Sequence, residues 1–410
     1  MTKRSLLYII AILFSCVLLA QDTKKVLFLG NSYTASNNLP SMISSMATST
    51  GNTLTYDSNT PGGYRFMNHV SNTTTINKIN ANNWDFVALQ AQSQETSWEQ
   101  SQMEVELYPH AASLINTIRT NNACTLPLFY MTWGRENGDA NNCAAIPWVC
   151  TYEGMDDAIR ATYILMAEQN NAQVSPVGAV WRYLRTNVPN IDLYTGDGSH
   201  PSLAGSYAAA CAFYTMIFKK DPTLITWNSS LPITTANAIK LAAKTIVFDD
   251  LNAWDFTAYF NHVTNIDEVT FASENDYENV TWNFGDTNSS TQENPVHTYA
   301  AIGDYQVTLT VTKCGVEHTY TKTISITALS ISDPTIDKIE IYPNPVKNEI
   351  HIKNTSNPVI NIEIFDVNGK LVLTKKNELE VITINELGSG IYFMKLYTQN
   401  SNSSWKFIKE

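Results

Sequence analysis

The chain has 410 residues, of which 44% are hydrophobic and 16% charged, with 20 Tyr, 15 Phe and 9 Trp. That composition excludes a disordered, collagenous or coiled-coil protein, and at about 150 residues per domain it predicts two to three domains. With 38 acidic against 26 basic residues the formal charge is −12, a field that repels phosphate backbones and anionic membranes; no local basic patch offsets it, so a nucleic-acid partner is not expected.

Residues 1–20 open with Lys3-Arg4, continue as a largely apolar run from Leu6 to Leu19 and end at Ala20, before the polar Gln21-Asp22-Thr23. This reads as a secretory signal peptide, too short for a comfortable membrane span. Leu13-Phe14-Ser15-Cys16 loosely resembles a lipobox, but apolar Val17-Leu18-Leu19 continues past it and argues against lipidation. Beyond residue 20 lie Cys124, Cys143, Cys150, Cys211 and Cys314. An odd count in an exported protein leaves at least one thiol outside an intrachain pair. Cys143 and Cys150 flank a short loop and are the expected bridge, whereas Cys124 and Cys211, in apolar context, are expected to be buried free thiols. No Cys-x-x-Cys pair or His/Cys cluster with zinc spacing occurs, so neither a metal nor a cofactor is expected.

Residues 24–262 alternate short apolar runs with longer amphipathic stretches. Val26–Leu29, Thr53–Tyr56, Asp85–Leu89, Leu126–Met131 and Val174–Val177 read as strands, several apolar on both faces as buried parallel strands must be. Helices are expected between them, the clearest over Met155–Gln169 and Ser202–Phe218. The expected fold is α/β, a flavodoxin-like parallel sheet flanked by helices. From 263 to 328 the helical period gives way to strands and turns, with Val280-Thr281-Trp282-Asn283-Phe284-Gly285-Asp286, Pro295-Val296-His297-Thr298-Tyr299 and the alternating Gln306–Thr312. These features resemble the polycystic-kidney-disease-like (PKD) domain. A linker around Ile331–Thr335 leads to residues 333–410, where Ile341-Tyr342-Pro343-Asn344-Pro345, Asn361–Lys370 and Gly390–Leu396 are again alternating strands broken by an Asn-Gly turn. In this order they resemble the C-terminal sorting domain of type IX secretion substrates, which implies the type IX secretion machinery as a partner and export across the outer membrane to the cell surface or medium. Both C-terminal segments are expected to be small all-β sandwich domains.

Two motifs carry chemistry. Strand one ends in Gly30-Asn31-Ser32 with a helix following, which puts a serine at the carboxyl end of the first parallel strand, where α/β sheets place ligands. Gly196-Asp197-Gly198-Ser199-His200-Pro201 precedes the Ala-rich helix, so a carboxylate three residues before a histidine can orient the imidazole and leave its other nitrogen free to face Ser32. Together these blocks resemble the SGNH hydrolase (GDSL-like esterase) family, with Asn31 departing from its usual aspartate. The resemblance implies Ser32 as nucleophile, His200 as general base and acid and Asp197 as the orienting acid. It assigns the oxyanion hole to the Ser32 amide, a glycine after strand two (Gly62 or Gly63) and a polar side chain after strand three. The family's Gly-x-Asn-Asp is absent there, so Gln90 or Gln92 must substitute; period-two alternation puts both on one side.

The insert from Thr132 through Tyr152 mixes polar and aromatic groups, and Asn31, Trp133 and Arg135 are the candidate substrate contacts, with Trp133 equally able to pack the insert onto the sheet. No long apolar run offers an acyl tunnel. The reading is therefore a secreted serine esterase that removes short acyl groups, acetate foremost, from a polysaccharide or oligosaccharide. The alternatives are a surface glycan-binding or adhesion protein that has lost catalysis, motivated by the substituted third block, and a lipase, against which the missing greasy lid argues.

Overall fold

The computed structural model describes residues 21–273, 277–329, 340–353, 358–376, 379–398 and 402–410. The expected signal peptide and the linker Ile331–Thr335 lie outside the described residues. The chain divides into two compact units, Met1–Thr327 and Ala328–Glu410.

In the first unit β1 (Thr23–Leu29), β2 (Thr53–Asn59), β3 (Phe86–Leu89), β4 (Leu126–Tyr130) and β5 (Gln173–Ser175) pair in parallel in the order β2-β1-β3-β4-β5. This is the flavodoxin-like order, with the first strand next to the point where the winding reverses. β1, β3 and β4 are interior strands covered on both faces, which is why Val26–Leu29 and Phe86–Leu89 are unbroken apolar runs. Strand β2 lies at an edge, and its polar, half-exposed sequence follows from that.

The helices are α1 (Ser32–Ala35), α2 (Leu39–Ser49), α3 (Phe66–Ser71), α4 (Thr73–Asn80), α5 (Gln100–Glu106), α6 (Tyr108–Asn121), α7 (Tyr152–Gln169), α8 (Val177–Asn187), α9 (Leu203–Phe218) and α10 (Ile233–Ile246). α9 packs against α2, α8 and α10, while α6 packs against α3, α4 and α5. Every residue of α9 after Leu203 is buried, so it is apolar all round rather than striped. Gly205 is required near its start because a Cβ there would lie 2.2 Å from the Leu193 carbonyl oxygen and 2.5 Å from the Trp181 ring. The Ser202 Oγ accepts from the Gly205 amide and caps the helix at the end that follows the Asp197–His200 loop.

The same unit continues as a β-sandwich of β6 (Phe260–Asn265), β7 (Glu268–Ser273), β8 (Asn279–Asn283), β9 (Ser289–Ser290), β10 (Val296–Thr298), β11 (Gly303–Lys313) and β12 (Val316–Ile326). Its sheets run β10-β7-β6 and β12-β11-β8-β9. Alternation places Val280, Trp282, Val307, Leu309 and Val311 in the core between them. The sandwich starts at Phe260, slightly before the expected boundary after His262, because β6 already pairs with β7.

Cysteine pairing departs from expectation in one respect. Cys143 and Cys150 are bonded, and Cys211 is a buried free thiol, as the sequence reading has it. Cys124, however, is bonded to Cys314, 190 residues away, at the turn between β11 and β12. Cys124 looked buried because apolar residues follow it, but it sits exposed in the loop before β4, where the β11–β12 hairpin tip reaches it.

Beside the bridge, buried Asp255 accepts from His318 Nδ1 at 3.0 Å and from Gln173 Nε2 at 2.8 Å. The Tyr277 hydroxyl donates to the Thr257 carbonyl at 2.6 Å, and Tyr320 packs against both cores. Cys124 precedes β4 and Gln173 opens β5, so the sandwich is fixed at the amino-terminal ends of these strands. Ser32 follows the carboxyl end of β1, at the opposite end of the sheet.

The second unit is a sandwich of β13 (Glu340–Tyr342), β14 (Glu349–Lys353), β15 (Asn361–Phe365), β16 (Leu371–Lys375), β17 (Val381–Thr383), β18 (Gly390–Tyr397) and β19 (Asn402–Lys409), in sheets β13-β14-β17 and β16-β15-β18-β19. The expected Asn-Gly turn is Asn368-Gly369, where Asp366 Oδ1 accepts from the amides of Asn368 and Lys370. Among the described residues no helix is long and apolar enough to cross a membrane.

Candidate active site

Three side chains from two distant segments meet in one chain of hydrogen bonds. Ser32 opens α1, His200 ends the loop before α9, and the Ser32 Oγ lies 2.9 Å from His200 Nε2. The other ring nitrogen, Nδ1, lies 2.6 Å from Asp197 Oδ2. The second Asp197 oxygen accepts from the amides of Ser199 and His200 and from Thr195 Oγ1, each at 2.9 Å. Partial burial pushes the Asp197 carboxyl upward, but the hydrogen bonds from His200, Ser199 and Thr195 outweigh it and hold it well below the ordinary carboxylate range. An ionised carboxylate on Nδ1 keeps the proton there and leaves Nε2 as an acceptor toward Ser32.

Local chemistry explains why the serine stands where it does. Asn31 caps α1, its Oδ1 accepting from the Tyr33 amide at 3.1 Å. Gln90 clamps the same turn from the end of β3. Its Oε1 accepts from the Asn31 amide and Thr34 Oγ1, and its Nε2 donates to Asn31 Oδ1 and the Ala91 carbonyl. The clamp leaves no space at Gly30, where a Cβ would lie 2.5 Å from Thr34 Oγ1 and 2.7 Å from Gln90 Oε1. Behind it, fully buried His69 joins Nε2 to the Gly30 carbonyl at 3.0 Å and Nδ1 to Thr75 Oγ1 at 2.9 Å. Burial pushes the His69 imidazole below its ordinary value, so it is a neutral brace.

These contacts correct several expectations. Gln90 is no oxyanion donor, because both of its amide hydrogens are spent on Asn31 and Ala91. Gln92 turns its Oε1 back to the amides of Gln94 and Glu95, and its Nε2 lies 3.3 Å from Gln94 Oε1. Asn31 is 3% exposed and holds the turn instead of a substrate. Arg135 donates to Asp139 at 3.0 Å, and Asp139 also accepts from Gln94 and Asn142; this knots the insert to the loop after β3.

For Trp133 the structure decides between the two readings left open. It is fully buried, stacked between Tyr33 (4.9 Å, 3°) and Trp181 (3.7 Å, 8°), so the packing alternative holds. Its indole nitrogen donates to the Ser199 carbonyl at 3.1 Å, and the Tyr33 hydroxyl lies 2.6 Å from Ser199 Oγ. Trp133 and Tyr33 therefore fix the histidine loop against the serine turn. No sequence signal distinguished this role, since Ser199 and Trp133 are 66 positions apart.

The turn carrying Gly62 and Gly63 reaches the serine through Asn31 Nδ2, which donates to the Tyr64 carbonyl at 3.0 Å. Among the described residues the backbone amides of Ser32, Gly62 and Gly63 make no hydrogen bond within the protein. Sequence reasoning also missed Glu95, whose side chain is fully buried. It accepts from the Gln92 amide at 2.8 Å and from Arg65 Nε at 2.7 Å, and so ties the loop after β3 to the residue that follows the glycine turn. Burial raises the Glu95 carboxyl, and Arg65 draws it back.

Comparison with known proteins identifies the two C-terminal segments. Residues 259–328 match the family model of the PKD domain, and residues 340–410 match that of the secretion system C-terminal sorting domain. Both resemblances read from the sequence are thereby borne out, and the sorting domain indicates export to the outer membrane or cell surface. A microbial collagenase from Vibrio alginolyticus is 40% identical over 74 residues, a match that spans 16% of this chain and 9% of that protein. Among solved structures, a protein from Slackia heliotrinireducens assigned as an SGNH hydrolase is 25% identical, with 47% of this chain and 97% of that one covered and a TM-score of 0.40. A DUF4886 family protein from Bacteroides uniformis is 18% identical, with 56% of this chain and 95% of that one covered and a TM-score of 0.47.

Proposed function

We propose that the α/β domain is a serine esterase that removes acetyl or other short acyl groups from carbohydrate outside the cell. The observation that carries this reading is the continuous relay from Asp197 Oδ2 through both nitrogens of His200 to Ser32 Oγ, with contacts of 2.6 and 2.9 Å. His200 Nε2 takes the hydroxyl proton as Ser32 Oγ bonds to the ester carbonyl carbon. The tetrahedral oxyanion collapses, and the sugar alkoxide departs with the proton that His200 returns. Water, deprotonated by His200, then attacks the acyl-enzyme; acetate leaves and Ser32 recovers its proton. The free amides of Ser32 and of Gly62 or Gly63 are the oxyanion donors, each contributing roughly 3 kcal/mol to the transition state. The 39% exposed His200 side chain puts the relay within reach of a bulky polymer.

The test is hydrolysis of p-nitrophenyl esters from acetate to palmitate by the chain from Gln21 onward and by Ser32→Ala. Turnover confined to short acyl groups and abolished by the substitution is the expected result. Retained activity in Ser32→Ala refutes the mechanism, and a rate that rises with acyl length makes the protein a lipase. Inactivity of both proteins on these esters and on acetylated glycans assigns it instead to glycan binding without catalysis.

A further inference from the structure

A second feature lies on the rim that carries the relay. A cavity of about 220 Å³ opens between the start of α2, the start of α9 and the loop before α10. Asn37, Asn38, Ser41, Met42, Trp227 and Ser229 supply its walls, and none of its lining residues is charged. Asn37 stands five residues after Ser32, just past the end of α1. Its Nδ2 also donates to the Pro201 carbonyl at 3.3 Å and to Ser206 Oγ at 2.8 Å, so the cavity wall is bonded to the residue next to His200.

The cavity is built rather than incidental. The half-buried Trp227 ring stacks on Tyr207 at 6.2 Å, and the Tyr207 hydroxyl donates to the Trp227 carbonyl at 2.8 Å. Lys240 Nζ holds the same loop through the Ile225 carbonyl at 2.9 Å and Asn228 Oδ1 at 3.0 Å. Asn38 (φ 52°) and Ser229 (φ 54°) face the cavity from left-handed backbone, a conformation costly to non-glycine residues and concentrated at functional sites. The lining combines amides and hydroxyls with an indole and the Met42 and Leu203 side chains, the mixture that suits a ring with hydroxyl edges and a C–H face. Without a charged wall there is no anchor for an acid or an amine.

We infer that this cavity is a subsite for a neutral sugar unit of the glycan whose acylated unit sits at Ser32. The inference rests on the esterase reading and adds to it the part of the substrate that never reacts. Remote binding of this kind raises the fraction of productive encounters without touching the bond that breaks.

Two measurements on the chain from Gln21 onward separate the subsite from the chemistry. In Trp227→Ala, kcat/KM for p-nitrophenyl acetate stays within about twofold of the parent, while kcat/KM for acetylated xylan and acetylated glucomannan oligosaccharides falls about tenfold through KM. In the Ser32→Ala background, calorimetric binding of unacetylated xylohexaose or mannohexaose is weakened by the same factor on adding Trp227→Ala. An equal loss on small ester and oligosaccharide, no loss on either, or no measurable binding of either hexasaccharide overturns the subsite. Failure of the esterase reading is seen separately, as parent activity on p-nitrophenyl acetate that survives Ser32→Ala or is absent.

Discussion

Replacing both Cys124 and Cys314 by serine removes a bridge across 190 residues. In the chain-entropy account the cost is the freedom returned to the unfolded chain, about 18 cal/mol/K, or roughly 5 kcal/mol at 298 K for a loop of this length. The same expression gives roughly 2 kcal/mol for the seven-residue separation of Cys143 and Cys150. Opening the long bridge should therefore cost about twice as much as opening the short one. The folded state loses little besides, because Asp255, His318, Gln173 and the Tyr277 hydroxyl still hold the sandwich to the α/β domain. Urea unfolding followed by tryptophan fluorescence and far-ultraviolet circular dichroism, on the parent and both double serine variants, measures the difference. Ester hydrolysis should not change, since the bridge lies at the end of the sheet away from Ser32. A loss below about 1 kcal/mol for Cys124→Ser/Cys314→Ser, or one no larger than for Cys143→Ser/Cys150→Ser, refutes the reasoning.

Asp197→Asn keeps acceptors for the loop amides but loses the charge that orients His200, so kcat should fall by about 10³ to 10⁴ with KM little changed, read from p-nitrophenyl acetate kinetics. Glu95→Ala leaves Arg65 Nε and the Gln92 amide without their buried acceptor, while Arg65 keeps Glu106; a loss of about 1 to 3 kcal/mol in urea unfolding is expected, with slower turnover from a loosened glycine turn. Trp133→Ala empties the middle of the Tyr33–Trp133–Trp181 stack and frees the Ser199 carbonyl; unfolding should become easier by about 3 to 5 kcal/mol and kcat should drop, whereas Trp133→Phe restores most of the stability but not the hydrogen bond. Burial raises the Asp255 carboxyl, but His318, Lys219 and Thr257 more than offset this and bring it down to about 2. A carboxyl lowered in the folded state stabilises fully above its unfolded value near 4 and loses that contribution as pH falls through 2, about 2 kcal/mol in all. Urea midpoints at pH 5 and pH 2 should show this loss in the parent and a smaller one in His318→Ala.

The strands of the sheet were legible because burial on both faces demands unbroken apolar runs, and Val26–Leu29 and Phe86–Leu89 are such runs. Asp197 and His200 were legible as a pair because three residues on one loop suffice to join carboxylate and imidazole. Gln90 was placed correctly at the end of β3 and read wrongly, since alternation says which side a residue faces but not which atoms meet it there. Trp133 was likewise open between substrate and core.

The sequence by itself determined the fold class through its periodicity, the two β modules through alternation and their resemblance to known domains, and the candidate triad through the resemblance of two motifs, of which only Asp197 and His200 are neighbours along the chain. Only the tertiary structure decided that Gln90 clamps the serine turn, that Trp133 braces the histidine loop, and that Cys124 pairs with Cys314. Each of these depends on groups 59 to 190 residues apart. Such distances along the chain close in space only after the strands have taken the order β2-β1-β3-β4-β5 and the sandwich has docked beneath them.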